Sequence, residues 1–336
     1  MKLPADKVAK LRTYYERRKV CVTGGAGFIG GHLIDTLLGV GATVSVIDDL
    51  SNSTLDHLTG HIELEPDRVS FIQGSILDEE ALDKAFDGAQ TIFHLAALGS
   101  VPRSVAEPQR NWSVNATGTV CVLEAARRAK AERVVFAASS SAYGDLLELP
   151  KVETHLPKPM SPYAATKLAG EQLLATWSRS YGLSTASVRF FNIFGPRQSA
   201  DSAYAAVIAA FAKSLLKGEP PKIYGDGAQT RDFTYVSNAV LATLLAGSAP
   251  QKLMGEVMNI GTGRRVSVID LATQMAIACG VPHIQPTFAP ERAGDVKHSL
   301  ADIGLARQLI GYEPFASLET GLAETVAWYK QSLATA

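Results

Sequence analysis

A glycine-rich turn near the amino terminus constrains the fold more than any other part of the sequence. Residues 23–30 read TGGAGFIG, directly after an apolar run and before Leu33 and Leu37, which recur at helical spacing. Glycines at positions 24, 27 and 30 permit a tight turn and let a helix lie close against the preceding strand. Such a helix begins with free N–H groups, so the pattern predicts a strand–turn–helix unit that holds a phosphate-containing ligand.

Strand-like and helix-like segments then alternate over the first 190 residues. Apolar and β-branched runs predict strands at 20–22, 43–48, 69–72, 91–96, 134–138 and 184–191. Helical spacing predicts helices at 79–86, 112–130 and 163–181. This alternation predicts the α/β class, with a Rossmann-type doubly wound parallel sheet and helices on both faces.

The domain organisation follows from length and from a change of pattern after about residue 194. A chain of 336 residues is expected to form about two domains. We predict a helical extension over residues 1–18 and a Rossmann domain over 19–194 that segments near 233–260 complete. Glycine and proline punctuate the remainder, so residues 195–336 are predicted to form mainly a smaller C-terminal α/β substrate domain.

Charge and composition exclude several functional classes. The 32 basic and 33 acidic residues give a net charge of -1, which predicts no binding to nucleic acid or to an anionic membrane. Three cysteines share no short spacing, which argues against a disulfide framework and a metal site. We find no signal peptide and no run of about 20 apolar residues, so a cytoplasmic protein is expected.

An acidic residue at the end of the second predicted strand indicates which dinucleotide binds. Asp48 stands eighteen residues after Gly30, where a carboxylate can accept hydrogen bonds from both ribose hydroxyls of NAD. It would repel the 2′-phosphate of NADP, and residues 49–61 contain no Arg or Lys to offset that repulsion. NAD is therefore the predicted cofactor.

A second constellation carries acid–base chemistry. Tyr163 and Lys167 form Tyr-x-x-x-Lys at the start of a predicted helix, and residues four apart share one helix face. A nearby ammonium and the positive nicotinamide ring favour the phenolate and lower the tyrosine pKa toward neutrality. Ser139, at the end of the fifth predicted strand, can place a hydroxyl beside the same substrate oxygen.

Together these motifs resemble the extended short-chain dehydrogenase/reductase family, also called the NAD-dependent epimerase/dehydratase family. The resemblance runs from about Lys19 to Tyr329. It also rests on His94-Leu-Ala-Ala97, Ser139-Ser140-Ser141 and Asn192-x-x-Gly195-Pro196-Arg197. Two later motifs, Gly225-Asp-Gly-x-x-x-Arg231-Asp232 and Arg292-Ala-Gly-Asp295, resemble its sugar-nucleotide branch.

The resemblance implies a set of NAD contacts. These are Gly24, Gly27, Phe28, Ile29, Gly30, Asp48, Asn52, Ser53, Ser75, Ile76, Leu95, Ala96, Ala97, Tyr163 and Lys167. Many members carry Gly-Asp-Ile after the third strand, where the Asp contacts the adenine amine. Here the turn reads Gly74-Ser75-Ile76, and the serine hydroxyl could accept that hydrogen bond.

The family resemblance also implies which residues hold a UDP-sugar. Tyr163 would be the catalytic base for the 4-hydroxyl, with Lys167 and Ser139 beside it. Asn192, Arg231 and Arg292 would bind the diphosphate, Asp295 the uridine ribose and Tyr224 the uracil. The other implied substrate residues are Gly99, Ser100, Arg103, Ser140, Ser141, Ala206, Val207 and Ser299.

Two serines narrow the reaction class. Family 4,6-dehydratases usually carry Asp-Glu where this chain has Ser140 and Ser141, and decarboxylases usually carry Glu at the second position. Reversible oxidation at carbon 4 of the sugar remains, which implies a 4-epimerase that forms a 4-keto intermediate. Segments 97–104, 203–208 and 294–302 most resemble bacterial UDP-N-acetylglucosamine 4-epimerases of the O-antigen type. In those enzymes small residues surround the sugar, and Ser299 here would leave room for an N-acetyl group.

Several alternatives stay open at this point. One is a UDP-glucuronate or UDP-N-acetylglucosaminuronate 4-epimerase, for which Arg103 could supply a cation. A second is a sugar-nucleotide dehydrogenase that releases NADH, or a decarboxylase, and a third is a non-catalytic NAD-sensing module. The resemblance further implies a homodimer formed through the helices predicted at 112–130 and 163–181.

Overall fold

The computed structural model describes residues 3–199, 207–291 and 296–335. The strands are β1 Lys19–Thr23, β2 Thr43–Asp48, β3 Val69–Gln73, β4 Thr91–His94, β5 Arg133–Ser139, β6 Ser184–Phe190, β7 Ile193–Phe194, β8 Lys222–Tyr224, β9 Thr230–Arg231, β10 Thr234–Tyr235, β11 Met254–Ile260, β12 Val266–Ser267 and β13 Thr287–Ala289. The helices are α1 Ala5–Tyr15, α2 Phe28–Gly39, α3 Thr59–Leu64, α4 Glu79–Phe86, α5 Val101–Ala106, α6 Pro108–Trp112, α7 Gly118–Arg128, α8 Pro162–Tyr181, α9 Val207–Leu216, α10 Val236–Gly247, α11 Val268–Cys279, α12 Gly304–Ile310 and α13 Leu318–Thr335.

Seven strands form one parallel sheet in the order β11-β6-β5-β4-β1-β2-β3. From β1 the chain proceeds to β2 and β3 on one side, then crosses to β4, β5 and β6 on the other. Ligands of such sheets bind at the carboxyl ends of the strands, at the point where the direction reverses. The predicted doubly wound sheet is confirmed, and β11 from the later part of the chain completes its edge beside β6.

Apolar side chains cover both faces of the sheet. Leu33 and Leu37 of α2 belong to one buried cluster, whereas Phe86 and Leu174 belong to the cluster on the other face. The amino-terminal extension is helical, as predicted. Its Tyr15 is fully buried and donates a hydrogen bond to the Leu244 carbonyl at 2.8 Å, which attaches α1 to the first cluster. Within the described ranges, no helix is both long and apolar enough to cross a membrane.

Two predicted elements differ from the structure in ways that matter for the site. The strand predicted at 91–96 ends at His94, and the residues after it line a groove. The helix predicted at 112–130 begins at Pro108 and is interrupted by a π-helical turn over Ser113–Thr117. Asn115 in that turn accepts a hydrogen bond from the Leu98 N–H at 2.8 Å. A π-helical turn holds one more residue than an α-helical turn, and here it places the Asn115 side chain against the segment that lines the groove.

Candidate active site

The glycine turn forms the floor of a groove at the carboxyl ends of β1 and β4. Gly24 has φ +71, and a Cβ there would lie 2.6 Å from the Ala96 backbone nitrogen. A Cβ at Gly30 would collide with the Gly24 carbonyl. No side chain among the described residues caps the amino end of α2. The missing Cβ atoms let the turn pack directly against the backbone that follows β4 and let α2 start close against the turn. This geometry fits the pyrophosphate of a dinucleotide.

The groove brings together most of the predicted NAD contacts. It has a volume of about 130 Å³ and is lined by Gly24, Gly27, Asp48, Asn52, Ser53, Ser75, Ile76, Leu95, Ala96 and Ala97, among others. Phe28 and Ile29 line a neighbouring, larger cavity instead. The Ser75 hydroxyl accepts from the Leu77 N–H at 3.2 Å. That bond uses one of the two acceptor positions of the hydroxyl oxygen, and the other could accept from the adenine amine. The adenine contact stays a prediction.

Asp48 attaches the glycine turn to the end of β2. Its carboxylate accepts from the Ala26 N–H at 3.0 Å, the Leu50 N–H at 2.9 Å and the Ser53 hydroxyl at 3.1 Å. Burial raises the pKa of Asp48, and these three hydrogen bonds oppose the rise. The sequence suggested only the ribose role, which stays a prediction; the structure shows that the same side chain also shapes the turn.

The Arg103 side chain bonds two other side chains. Its guanidinium donates to the Asn52 side-chain oxygen at 2.7 Å and to Glu107 at 3.3 Å. The bond to Asn52 joins α5 to the loop after β2 across the groove. Ser100 is likewise engaged, because its hydroxyl caps α5 by accepting from the Arg103 N–H at 3.2 Å.

The larger cavity, of about 650 Å³, contains the predicted catalytic residues. It is lined by Gly99, Ser139, Ser140, Ser141, Tyr163, Lys167, Asn192, Arg231 and Ser299, together with Tyr143, Lys151 and Gln198. The last three were not predicted. Tyr143 stands two residues after the serine run, and this proximity was the only signal in the sequence that could have found it.

Each catalytic side chain is placed by the end of a regular element. Ser139 is the last residue of β5, and its hydroxyl accepts from that of Ser141 at 2.9 Å. Tyr163 lies in the first turn of α8, which begins with Pro162 and is capped by Ser161. Lys167, one turn later, is 3% exposed and donates to the Ala137 carbonyl at 2.8 Å. Its amine lies 6.0 Å from the centre of the Tyr163 ring.

Burial dominates the electrostatics of this pair. It raises the pKa of Tyr163, and the opposing influence is a hydrogen bond with Ser139. It also lowers the pKa of Lys167 to about 7, whereas Glu171 acts to raise it. The lowering of the Tyr163 pKa by the lysine ammonium together with the nicotinamide ring stays a prediction.

A smaller cavity adjoins the catalytic one. It measures about 200 Å³ and is lined by Asn192, Val207, Tyr224 and Arg231, among others. Arg231 donates to the carbonyls of Thr230 and Lys297 at 3.0 and 3.1 Å, and it lines both cavities. The predicted residues Ala206, Arg292 and Asp295 lie outside the described residues.

The sequence matches the model of a known protein family. The model described as "NAD dependent epimerase/dehydratase family" matches residues 20–261. The chain belongs to this family. NAD is accordingly its cofactor, as the sequence predicted.

Several proteins of known name are similar to this chain over nearly its whole length. A UDP-glucose 4-epimerase of Mycolicibacterium smegmatis is 38% identical over 93% of this chain and 98% of its own. The solved UDP-N-acetylglucosamine 4-epimerase of Methanobrevibacter ruminantium, in complex with UDP-N-acetylmuramic acid, is 36% identical with a TM-score of 0.88, covering 94% of this chain and 99% of its own. The UDP-glucose 4-epimerase of Thermotoga maritima with UDP-glucose is 37% identical with a TM-score of 0.87, over the same shares.

The Asp48 assignment can be tested through cofactor preference. Combining Asp48→Ala with Asp49→Arg is expected to weaken NAD binding and improve NADP binding, because a cation then replaces the carboxylate that repels a 2′-phosphate. The measurement is the Kd for each dinucleotide, with the nucleotide that co-purifies with each variant. Asp49→Arg alone is the control, since it keeps Asp48 and should retain NAD. Finding NADP bound to the native protein would contradict the assignment.

Proposed function

We propose that this enzyme inverts carbon 4 of a UDP-sugar, with UDP-N-acetylglucosamine and UDP-N-acetylgalactosamine as its main substrate pair and UDP-glucose and UDP-galactose as a second pair. The observation that carries the proposal is that Tyr163, Lys167 and Ser139 line a cavity of about 650 Å³, which shares Leu95 and Ala97 with the NAD groove. Serines 140 and 141 line that cavity, where a dehydratase would carry an acid–base pair. The printed activities of the similar epimerases support the same reaction.

The side chains then have distinct roles. Tyr163 accepts the proton of the 4-hydroxyl, and Ser139 donates a hydrogen bond to the same oxygen. Lys167 keeps its ammonium beside them and binds the ribose next to the nicotinamide. NAD, when bound, would supply the reversible hydride acceptor for carbon 4. Rotation of the 4-keto sugar about its diphosphate link would present the other face of carbon 4 to the hydride. Tyr163 then returns its proton to the 4-oxygen, and the configuration at carbon 4 is inverted.

The nucleotide half belongs in the smaller cavity. Tyr224 supplies an aromatic wall for uracil, and Val207 lies opposite in the same lining. Asn192 lies on both cavities, which suits a diphosphate that joins a sugar to a nucleoside. Arg231 there provides the positive charge that phosphate oxygens require. With the nucleotide held at this end, the sugar alone is free to turn.

Space around the sugar supports the N-acetylated substrate. Ser299 is 8% exposed and lines the cavity with Gly99 and Ser139. Its backbone N–H donates to the Thr230 carbonyl at 3.0 Å, which holds this wall in place. A small residue here leaves room for an acetamido group in both orientations of the ring.

The second candidate, a uronic-acid epimerase, is less favoured by the structure. It would need a cation at the carboxylate of carbon 6, and the Arg103 guanidinium instead contacts Asn52 and Glu107. A substrate panel of UDP-N-acetylglucosamine, UDP-glucose and UDP-glucuronate, with products identified by chromatography, separates the alternatives. We expect the highest kcat/KM on the first. Net NADH release, or faster turnover of the glucuronate, would contradict the proposal.

A homodimer is also proposed, through the outer faces of α7 and α8. The Tyr181 side chain on α8 is 56% exposed, and Arg127 of α7 lies 5.3 Å from its ring centre. Trp177 is held inward by a hydrogen bond to Glu124 at 2.8 Å. Light scattering at micromolar concentration is expected to give twice the chain mass, and Tyr181→Glu is expected to shift it toward the monomer. A monomeric native protein would contradict this proposal.

A further inference from the structure

A cluster of buried charges lies next to the catalytic lysine and has no role in the reaction as described so far. Glu171 follows Lys167 by one turn on α8, so both side chains lie on one helix face. Arg189 of β6 pairs with Glu171 through two bonds, Nε to Oε1 at 2.8 Å and Nη2 to Oε2 at 2.6 Å. The two side chains are only 3% and 1% exposed. A fully buried, two-point ion pair is unusual, because removing both charges from water is costly.

The cluster continues beyond Arg189 along the cavity floor. The Arg189 guanidinium lies 4.4 Å from the centre of the Tyr143 ring, and Tyr143 donates to the Asn259 side-chain oxygen at 2.8 Å. The Asn259 N–H in turn donates to Glu153 at 2.7 Å, and the charge of Arg189 acts on that carboxyl. The result is a line in which basic and acidic side chains alternate: Lys167, Glu171, Arg189 and Glu153.

Lys167 needs such a partner. An ammonium that is 3% exposed loses most of its hydration, and a neutral carbonyl at 2.8 Å replaces only part of it. The Lys167 amine also lies 4.7 Å from the centre of the Phe136 ring, and that side chain carries no formal charge. The negative charge that favours the charged form of Lys167 is that of Glu171.

Groups on the other elements around α8 do not substitute for Glu171. Burial, together with the charge of Lys167, lowers the pKa of His94 on β4 to about 3, so this side chain stays neutral. Among the described residues packed against α8 from other helices, Arg103 pairs with Glu107, and Glu124 pairs with Arg127. Tyr163 carries no charge until it loses its proton.

We propose that Glu171 is the counter-ion that keeps Lys167 an ammonium at the pH of the reaction, and that Arg189 holds Glu171 charged and in place. Both are positioning residues, since they act through Lys167 and contact neither sugar nor NAD. The inference rests on the role of Lys167 in the proposed function. It extends that function by assigning part of the catalytic charge balance to a buried pair behind the cavity wall.

The direct test is the titration of the Lys167 amine in the holoenzyme without any sugar. The amine can be followed by nitrogen-15 NMR, with its signal assigned by comparison with Lys167→Arg. Glu171→Gln is expected to move the midpoint at least about one pH unit lower, because an opposite charge a few ångströms away shifts a pKa by that amount. Glu171→Asp keeps the charge and should restore most of the midpoint. An unchanged midpoint in Glu171→Gln would overturn the proposal.

Two further variants separate charge from folding. Thr185→Val removes a buried hydroxyl that bonds Leu174 across the α8–β6 contact at 2.9 Å, so it loosens the same interface without altering charge and should leave the midpoint unchanged. Should Glu171→Gln not fold, Glu171→Met with Arg189→Met replaces the whole pair by apolar side chains, an exchange that buried pairs tolerate. Its midpoint should also fall, but by less than in Glu171→Gln, because the opposing positive charge of Arg189 is removed as well. A midpoint that rises in this variant would overturn the proposal.

Activity gives an independent readout. The alkaline limb of the kcat profile is expected to move to lower pH in Glu171→Gln by the same interval as the Lys167 midpoint, because the lysine loses its proton earlier. Reduced stability alone would lower the amount of active enzyme at every pH without moving the limb. Failure of the proposed epimerase reaction would leave the sugar-free titration interpretable, so the two failures are distinguishable.

Discussion

Replacement of Tyr163 by Phe is expected to lower kcat by at least about 10²-fold, while UDP-sugar binding changes little. The ring that lines the cavity remains, but the hydroxyl that accepts the 4-hydroxyl proton is lost, and general-base catalysis typically contributes about 10²–10⁴-fold. Steady-state kinetics with the preferred UDP-sugar gives kcat, and calorimetric titration gives the Kd. Retention of more than about a tenth of the native rate would contradict the assignment of Tyr163 as the base.

A matched tyrosine controls for the loss of a buried hydroxyl as such. Tyr312 is fully buried and donates to the Gly261 carbonyl at 2.8 Å, away from the catalytic cavity. Tyr312→Phe is expected to cost about 1 kcal/mol of stability with little change in kcat. A similar drop in kcat in both variants would indicate a folding effect rather than a missing base.

Replacement of Ser299 by Tyr is expected to change substrate choice. Native enzyme should convert both N-acetylated and plain hexoses, whereas the variant should lose the N-acetylated pair and keep UDP-glucose and UDP-galactose. An added ring at this wall would collide with an acetamido group each time the sugar turns, and Ser299, at 8% exposure, has close neighbours that leave a larger side chain little room to move away. The loss in kcat/KM on the N-acetylated pair is expected to be at least about tenfold larger than on the plain pair.

Ser299→Ala is the control for the effect of side-chain size. Ser299→Ala removes the hydroxyl without adding volume, so it should accept both pairs much as the native enzyme does. Equal losses on both pairs in Ser299→Tyr would show that this wall does not select the substituent on carbon 2. The preference for N-acetylhexosamines would then lose its main physical support, while the 4-epimerase chemistry would be unaffected.

Much of the fold followed from local patterns. The glycine turn encodes its own geometry, because Gly24 has φ +71, a backbone conformation that residues with a side chain rarely adopt. Strand β2 has the predicted bounds, since four of its six residues, Thr43, Val44, Val46 and Ile47, are β-branched. Tyr163 and Lys167 were predictable as a pair because four residues along a helix set their relative position whatever surrounds them.

The early end of β4 and the π-helical turn were not predictable in the same way. Both depend on side chains that satisfy backbone groups elsewhere: Asn115 accepts from the Leu98 N–H at 2.8 Å and donates to the Thr166 hydroxyl at 3.1 Å. Helical spacing alone favours one uninterrupted helix over this stretch. Tertiary hydrogen bonds outweighed that local preference.

By itself, the sequence determined the sheet class, the cofactor turn and the spacing of the proposed catalytic pair, since each depends on residues close together in the chain. The tertiary structure decided which charges that are distant in the chain meet. Arg189 lies next to Glu171, eighteen residues away, because β6 is placed beside β5 beneath α8. Arg103 contacts Asn52, 51 residues away, across the groove. Charge pairing over such separations depends on strand order and burial, and no local periodicity encodes either.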